Sequence, residues 1–358
     1  MEKMKLKELI NVRTGKLDAN ASSENGKYPF FTCSKETLKI NTYSYDCECV
    51  LLAGNGDLNV KYYNGKFDAY QRTYILECKN DIISTKYLYY FMKKYLKILR
   101  NQSVGGVIKY IKLANITEAI IPIYSKEEQE KIVNNISKVE EVLNIKNKQI
   151  EELQNFIKSQ FVEMFGDIKI YKRLSDYSIL ITKGASPKWQ GINYKRKGTL
   201  FITSENVREG YIDISKPKYL ENKINEILPR SILRKEDILI NIVGASIGRA
   251  AKYNYEYLAN INQAVALVRT KNINNIFLLT YLNSEQAIKM YNDMKKGGAR
   301  ENLSLKNISD LKIPKATLAL QNQFAEIVKQ IDKQKFEIEK SLKETQELYE
   351  SLMEKYFG

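Results

Sequence analysis

Apolar residues along the chain alternate between short runs and helical spacing, which predicts strands followed by helices. Short apolar runs bounded by Gly and Asn predict buried strands, and they lie at residues 49–53, 70–78, 237–242 and 262–270. Residues 85–100 and about 276–294 carry apolar side chains at helical spacing, which predicts one helix packed on each sheet. Each half of the chain is therefore expected to open with a β-rich domain that includes packed helices.

Each of these domains is followed by a long stretch with a sustained heptad pattern. Ser125 and Glu128 form a capping-box pattern just after Pro122, which predicts a helix start. Beyond it, apolar residues alternate at intervals of four and three, as in a coiled coil. The predicted heptad seam consists of Ile132, Ile136, Val139, Leu143, Ile150, Leu153 and Ile157 and, in the second stretch, of Phe324, Val328, Ile331, Ile338, Leu342, Tyr349 and Leu352. The alternative is an ordinary amphipathic helix on a globular core.

The two halves of the chain repeat one pattern at an offset of 192 residues. The offset holds without a gap from the middle of each copy to its end, and the matching pairs include Asn115 with Asn307, Pro122 with Pro314, Gln129 with Gln321 and Gly166 with Gly358. Nearer the start, Leu6 aligns with Leu174, so the second copy is longer in its front part. A repeat of this kind predicts two copies of one structural unit. Since the chain ends where a copy ends, we expect a complete protein of two units.

The repeat predicts an α+β protein made of two tandem domains, each followed by a long helix. The expected divisions are a first domain at 1–124, a helix at 125–166, a second domain at 167–316 and a helix at 317–358. If the two helices pair along their seams, the second helix must run back along the first as an antiparallel coiled coil, with the domains at its opposite ends. A helix of about 40 residues is roughly 60 Å long, which exceeds the roughly 34 Å of one DNA turn. The coil is expected to act as a spacer.

The charge balance favours a polyanionic partner. Lys and Arg number 57 against 42 Asp and Glu, for a net charge of +15, and cations that neutralise phosphates release bound counterions. The first twelve residues lack the apolar core of an export signal, and no run of 18 apolar residues could span a membrane. We therefore expect a cytoplasmic protein. The four cysteines are expected to be free thiols, although a zinc site with unfamiliar spacing is the alternative.

The parts that common enzymes need are missing from the sequence. There is no histidine, no phosphate-binding P-loop, no G-x-S-x-G segment and no Pro-Pro pair of the kind found in amino-group methyltransferases. The run Gly54-Asn55-Gly56-Asp57 resembles a glycine loop or a metal-binding run, but we interpret it as a hairpin turn. No catalytic residue, metal ligand or cofactor site is assigned to this chain.

Residues 183–197 form the strongest candidate for contact with nucleic acid. This segment contains no acidic residue, and its glycines and proline predict a loop. Cations suit phosphates and aromatic rings suit neighbouring bases, and the candidates here are Lys183, Lys188, Trp189, Tyr194, Lys195, Arg196 and Lys197. The alternative is a solvated loop whose Trp189 enters the core.

A second candidate is the glycine-rich segment 295–302 and its counterpart in the first copy. Arg300 and Asn302 could make bidentate contacts to guanine and adenine, respectively. The counterpart contributes Lys109 and Tyr110. The part of the first copy equivalent to residues 183–197 is a weaker candidate and contributes Arg13 and Lys16. Further candidates for phosphate contact are Lys61, Arg208 and Arg249.

Several of these segments together point to a known family. They are D-I-L-I-N-I-V-G-A-S-I-G-R at 237–249, N-Q-A-V-A-L at 262–267, G-G-A-R-E-N-L-S at 297–304, and Ile313-Pro314 before a long helix that carries Gln321. With its duplicated architecture, the chain resembles the specificity subunit of type I restriction–modification systems over nearly its full length. The first copy departs from the family's I-G-x-x-G segment, because it carries Gly54-Asn55-Gly56-Asp57-Leu58 instead.

The resemblance implies a function that the composition alone could not supply. Each domain would be a target-recognition domain that reads one half of a bipartite, asymmetric site in double-stranded DNA. The coiled coil would set the spacing and dock two DNA methyltransferase subunits, which use S-adenosylmethionine to methylate adenine. Restriction subunits that hydrolyse ATP with Mg²⁺ can join such complexes. The alternatives are a stand-alone DNA-modifying enzyme and a coiled-coil scaffold that does not bind DNA.

Overall fold

The computed structural model describes residues 2–295 and 302–358, with the backbone alone described at residue 295. The chain forms two compact units. Unit 1 comprises Met1–Lys148 and Glu339–Gly358, and unit 2 comprises Gln149–Ile338. Both long helices are therefore shared, because each unit contains part of each. None of the helices formed by the described residues combines the length and the apolar character that a membrane span requires.

Unit 1 is built on a mixed sheet with one helix packed on it. Its strands are β1 (Glu2–Lys5), β2 (Ile10–Thr14), β3 (Tyr28–Phe31), β4 (Leu38–Ile40), β5 (Tyr45–Ala53), β6 (Val60–Ala69), β7 (Thr73–Cys78) and β8 (Ile120–Ile123). Its helices are α1 (Leu6–Leu9), α2 (Thr85–Gln102), α3 (Leu113–Thr117) and the first part of α4 (Lys126–Phe165), with a 3₁₀ turn at Ala19–Ala21. The main sheet has the order β2-β7-β5-β6-β3-β4, in which only β3 and β6 pair in parallel, while β1 pairs with β8.

The core of unit 1 lies between this sheet and α2. Tyr87, Leu88 and Phe91 on α2 are buried against Val50 and Leu76 on the sheet, and full burial of one such side chain contributes about 1.5–3 kcal/mol. The helix begins where the Ser84 hydroxyl accepts a hydrogen bond from the Tyr87 backbone N–H. The predicted helix at 85–100 is confirmed.

Unit 2 repeats this plan with additional short strands. Its strands are β9 (Tyr171–Arg173), β10 (Ser178–Lys183), β11 (Tyr194–Lys195), β12 (Thr199–Ile202), β13 (Tyr219–Leu220), β14 (Ile238–Asn241), β15 (Ala250–Lys252), β16 (Ala259–Ile261), β17 (Val265–Thr270) and β18 (Lys312–Pro314). Its helices are α5 (Ile224–Ile227), α6 (Asn275–Leu282), α7 (Glu285–Lys295), α8 (Leu305–Ser309) and the first part of α9 (Leu318–Phe357), with 3₁₀ turns at Leu174–Tyr177, Lys188–Gln190 and Pro229–Ser231. The sheets have the orders β10-β17-β14-β15, β11-β13-β12-β16 and β18-β9.

The prediction of one helix over residues 276–294 is wrong, because the structure has two. Helix α6 ends at Leu282 and α7 begins at Glu285. The intervening Asn283 side chain donates to the Ala250 carbonyl and accepts from the Ala250 backbone N–H, both at 3.0 Å. These bonds to strand β15 take the place of a further helical turn.

The two long helices pair antiparallel within each unit, as predicted. They are both 40 residues long, and α9 starts and ends 192 residues after α4. In unit 1 the first part of α4 meets the last part of α9, since Lys146 Nζ contacts Ser341 Oγ. In unit 2 the last part of α4 meets the first part of α9, since the rings of Phe161 and Phe324 pack edge to face at 5.4 Å.

The predicted heptad seam accounts for buried side chains along both long helices, but it does not account for all buried side chains at their ends. All fourteen predicted seam side chains are buried or half-buried. The ends also enter the unit cores through side chains outside the seam: Phe161 and Phe165 in unit 2, and Met353 and Phe357 in unit 1. The alternative of an amphipathic helix on a globular core therefore applies to these last turns. It also applies to the first turns, because the seam residues Ile132, Ile136, Phe324 and Val328 belong to the same cores.

Candidate nucleic-acid interface

The segment 183–197 of unit 2 is exposed and partly regular. It leaves β10 at Lys183, forms the 3₁₀ turn Lys188–Gln190 and continues into β11. Pro187 is buried beneath the turn, whereas Trp189 is 83% exposed. The tryptophan therefore stays outside the core, and its ring is available to a ligand.

The cations of this segment do not all lack counter-charges. Tyr194 and Lys195 pair with β13, and this pairing brings Glu221 to within 3.3 Å of Lys195 Nζ. The hydrogen bond from Lys195 lowers the pKa of Glu221. The expectation of no counter-charge, which rested on the absence of acids within the segment, is wrong for Lys195. Lys183, Lys188, Arg196 and Lys197 are exposed, and none of them forms an ion pair with another described residue.

A hydrogen-bonded turn after β14 carries Arg249. The Asn241 side chain donates to Ser246 Oγ and to the Ser204 carbonyl, both at 3.0 Å. Gly248 has a φ of 89°, and a Cβ there would lie 2.3 Å from the Tyr291 ring, so the turn requires glycine. Arg249 is exposed at the end of this turn. Arg208 is half-buried and lies 3.7 Å from Asp213.

The predicted hairpin turn at residues 54–57 of unit 1 meets the segment that contains Lys109 and Tyr110. In unit 1 the Gly56 N–H donates to the Lys109 carbonyl and the Ile111 N–H to the Gly54 carbonyl, both at 2.9 Å. In unit 2 Val243 pairs with Asn302. Arg300 lies outside the described residues. The predicted hairpin turn at residues 54–57 is therefore hydrogen-bonded through its backbone to residues 109–111.

The weaker candidates of unit 1 fall into two groups: cations that bind other residues of the unit, and exposed side chains. Arg13 Nε donates to Glu77 at 2.7 Å, and its guanidinium lies over the Tyr45 ring. Lys61 Nζ donates to the Ser34 carbonyl at 2.8 Å, and burial lowers the pKa of this lysine. Arg13 and Lys61 are thus engaged by other residues of unit 1. Lys16, Lys109 and Tyr110 remain exposed.

The alternative chemistries gain no support from the described residues. Asp57 of the glycine run lies 3.0 Å from Lys35, whose hydrogen bond lowers the pKa of this carboxyl. The four cysteines are free thiols. Among the residues described, no cluster of three or more carboxylate or thiol side chains could hold a metal ion.

Sequence reasoning missed Arg72 as a candidate. It lies beside Gln71, whose counterpart at the 192-residue offset is Gln263, on an exposed turn between β6 and β7. The signal that could have found it is its place next to a glutamine that both copies keep.

Two copies of one α+β unit, each with exposed cationic loops and each joined to a long helix, define a duplicated recognition protein. The pattern described as the type I restriction modification DNA specificity domain matches residues 1–155 and again residues 190–348. The chain belongs to that family.

Individual relatives agree with this assignment. The type I restriction enzyme EcoDI specificity subunit of Escherichia coli is 37% identical over 155 residues, 43% of this chain and 34% of that protein. The chain thus spans about a third of that relative in this match. The MjaVIII specificity subunit of Methanocaldococcus jannaschii is 25% identical over 328 residues, 84% of this chain and 77% of that protein.

Solved structures show the same fold. The S subunit of a type I restriction-modification system from M. genitalium has a TM-score of 0.64 at 18% identity, covering 100% of this chain and 96% of that one. A chain from work on the complex assembly and conformational transition of the type I R-M system has a TM-score of 0.58 at 16% identity, with 99% and 97% covered.

Proposed function

We propose that this chain is the non-catalytic DNA-specificity subunit of a type I restriction–modification complex. The single observation that carries the proposal is the duplication, because the family pattern matches both copies and each copy presents exposed cations on its own fold. Two linked recognition units suit a DNA site that consists of two separated half-sites. The chain itself binds no cofactor and acts in the cytoplasm.

The two half-sites differ because the two units present different surfaces. Unit 2 carries Trp189 and a cationic segment that ends at Lys197. Unit 1 has in the corresponding place Arg13, which is bound to Glu77. Side chains that differ in charge and shape select different base edges. The recognised site is therefore bipartite and asymmetric.

Two DNA methyltransferase subunits are the proposed partners, and the long helices offer equivalent places for them. Phe156 on α4 and Leu348 on α9 are related by the 192-residue offset and are 49% and 50% exposed. Exposed apolar side chains at matching positions suit two copies of one partner. S-adenosylmethionine would bind to these partners, and ATP with Mg²⁺ to restriction subunits where they join.

Methylome sequencing of cells with and without this chain, each expressing the cognate methyltransferase, tests the proposal. We expect adenine methylation at one bipartite site that appears only with the chain. Replacement of residues 1–124 by another recognition domain should change one half-site only. Methylation or cleavage of DNA by the purified chain alone would instead establish an enzyme, and absence of DNA binding at physiological salt would establish a scaffold.

A further inference from the structure

Arg72 differs from the other arginines of unit 1 in the surroundings of its guanidinium. Unit 1 has three arginines. Arg13 is bound to Glu77, and Arg100 donates to the Leu58 carbonyl and lies 3.8 Å from Asp57. The exposed Arg72 guanidinium forms no hydrogen bond or ion pair with any described residue. Its five donors therefore remain available to a ligand.

The backbone beneath this free side chain is held on several sides. The Thr73 N–H donates to the Tyr70 carbonyl at 2.8 Å and closes the turn. The Gln71 N–H donates to the Leu17 carbonyl at 2.9 Å, and the Gly54 N–H donates to the Arg72 carbonyl at 2.8 Å. A Cβ on Gly54 would lie 2.4 Å from that carbonyl oxygen, so this approach needs glycine. A backbone fixed by hydrogen bonds, with an exposed guanidinium, is an arrangement that can position a side chain for contact with a base.

Arg72 lines a groove, here called the Arg72 groove, with a volume of about 550 Å³. Tyr110 and Lys112 contribute to its lining, and the Tyr74 hydroxyl donates to the Ile111 carbonyl at 3.3 Å. The lining residues include two cations, Arg72 and Lys112, and no carboxylate. Such a lining attracts a polyanion. Another groove of unit 1 differs because it is lined by Glu48, Asp81 and Glu130 as well as by Lys79 and Lys86.

We propose that Arg72 is a guanine-reading side chain of unit 1, and this assignment rests on the proposed function. Its planar guanidinium would donate two parallel hydrogen bonds to O6 and N7 of one guanine in the half-site that unit 1 binds. The position 192 residues later is Ala264, which is buried. Unit 2 therefore has no arginine at the equivalent position, and recognition of guanine by this contact is confined to the half-site that unit 1 binds.

The test compares Arg72→Lys with Arg72→Ala in the full chain bound to its cognate methyltransferase. Lysine keeps the charge but lacks the planar fork that donates two parallel hydrogen bonds. Lys39→Ala is the matched control, because it removes one exposed charge from β4, outside the groove. Competition binding with duplexes varied at each position of both half-sites reports specificity directly, and methylome sequencing reports it in cells.

We expect the wild-type complex to prefer G·C at one position of the half-site that unit 1 reads. Both Arg72 variants should lose that preference roughly ten- to hundred-fold. Every other position, and the Lys39→Ala complex, should keep wild-type discrimination.

Other outcomes overturn the assignment. If Arg72→Lys keeps the preference while Arg72→Ala weakens all duplexes equally, Arg72 contacts phosphate and not a base. Unchanged discrimination in both variants would also reject it. A wild-type complex without a preferred site would overturn the proposed function itself, and this would be known before any variant is compared.

Discussion

The Gln129 side-chain oxygen accepts a hydrogen bond from the Ser84 backbone N–H at 3.0 Å. The amide of the same side chain donates to the Ile82 and Tyr124 carbonyls. Ser84 is the N-cap of α2, so a buried glutamine near the start of the long helix holds the beginning of the helix packed on the sheet. In unit 2 Gln321 accepts from the backbone N–H of Asn274, the N-cap of α6, at 2.9 Å.

Replacement of Gln129 by Ala should therefore destabilise unit 1. The change leaves the Ser84 N–H and two carbonyls without their partner, and an unpaired buried polar group costs about 1–3 kcal/mol. Denaturant unfolding measures the loss, with the exposed Gln149→Ala as control. A Gln129→Ala protein as stable as the control would show that this bond is dispensable.

Truncation of the heptad seam should cost more than truncation of an exposed apolar residue on the same helix. Ile136 is fully buried, so Ile136→Ala is expected to lose about 2–5 kcal/mol. Val142→Ala, at a side chain that is 40% exposed, should lose less than about 1 kcal/mol. Equal losses in thermal unfolding would contradict the predicted seam.

Shortening both helices together should shorten the DNA spacer. Since Lys146 contacts Ser341, residues 144–150 lie opposite residues 337–343, and deletion of both heptads keeps the facing register. Seven helical residues span about 10 Å, which corresponds to roughly three base pairs. Methylome sequencing should find the same half-sites closer together. An unchanged spacer would mean that the coil does not set the distance.

The single tryptophan should report DNA binding. Trp189 is 83% exposed and lies in the cationic segment of unit 2. The fluorescence of the chain without its partners is expected to change when it binds a duplex that carries its site. Trp189→Ala should weaken binding while altering stability by less than about 0.5 kcal/mol. An emission spectrum that stays the same at saturating duplex would place the DNA elsewhere on unit 2.

Removal of Arg196 and Lys197 together should weaken binding to all DNA sequences. Both are exposed and form no ion pair with a described residue, so they can contact phosphates. The logarithm of the affinity should fall less steeply with salt, by about 0.9 for each lost contact. Lys195→Ala should have a smaller effect, because Glu221 already lies 3.3 Å from that lysine. A salt slope equal to that of the wild type would remove this pair from the interface.

The architecture followed from the sequence because its signals are local and are repeated. Helices α4 and α9 were expected at 125–166 and 317–358 and are found at Lys126–Phe165 and Leu318–Phe357. A heptad pattern depends only on neighbours three and four residues away, and a second copy repeats the signal. By contrast, the break between α6 and α7 depends on bonds from Asn283 to Ala250, which is 33 residues distant.

The sequence by itself determined the duplication, the long helices, the basic character of the chain and the family to which it belongs. Only the tertiary structure decided which cations are free. It joined Arg13 to Glu77 and Lys195 to Glu221, and it kept Trp189 outside the core. It also left the Arg72 guanidinium exposed, with no hydrogen bond or ion pair to a described residue. The reason is that a side chain's availability depends on residues brought to it by strand pairing, whereas periodicity records only what lies nearby along the chain.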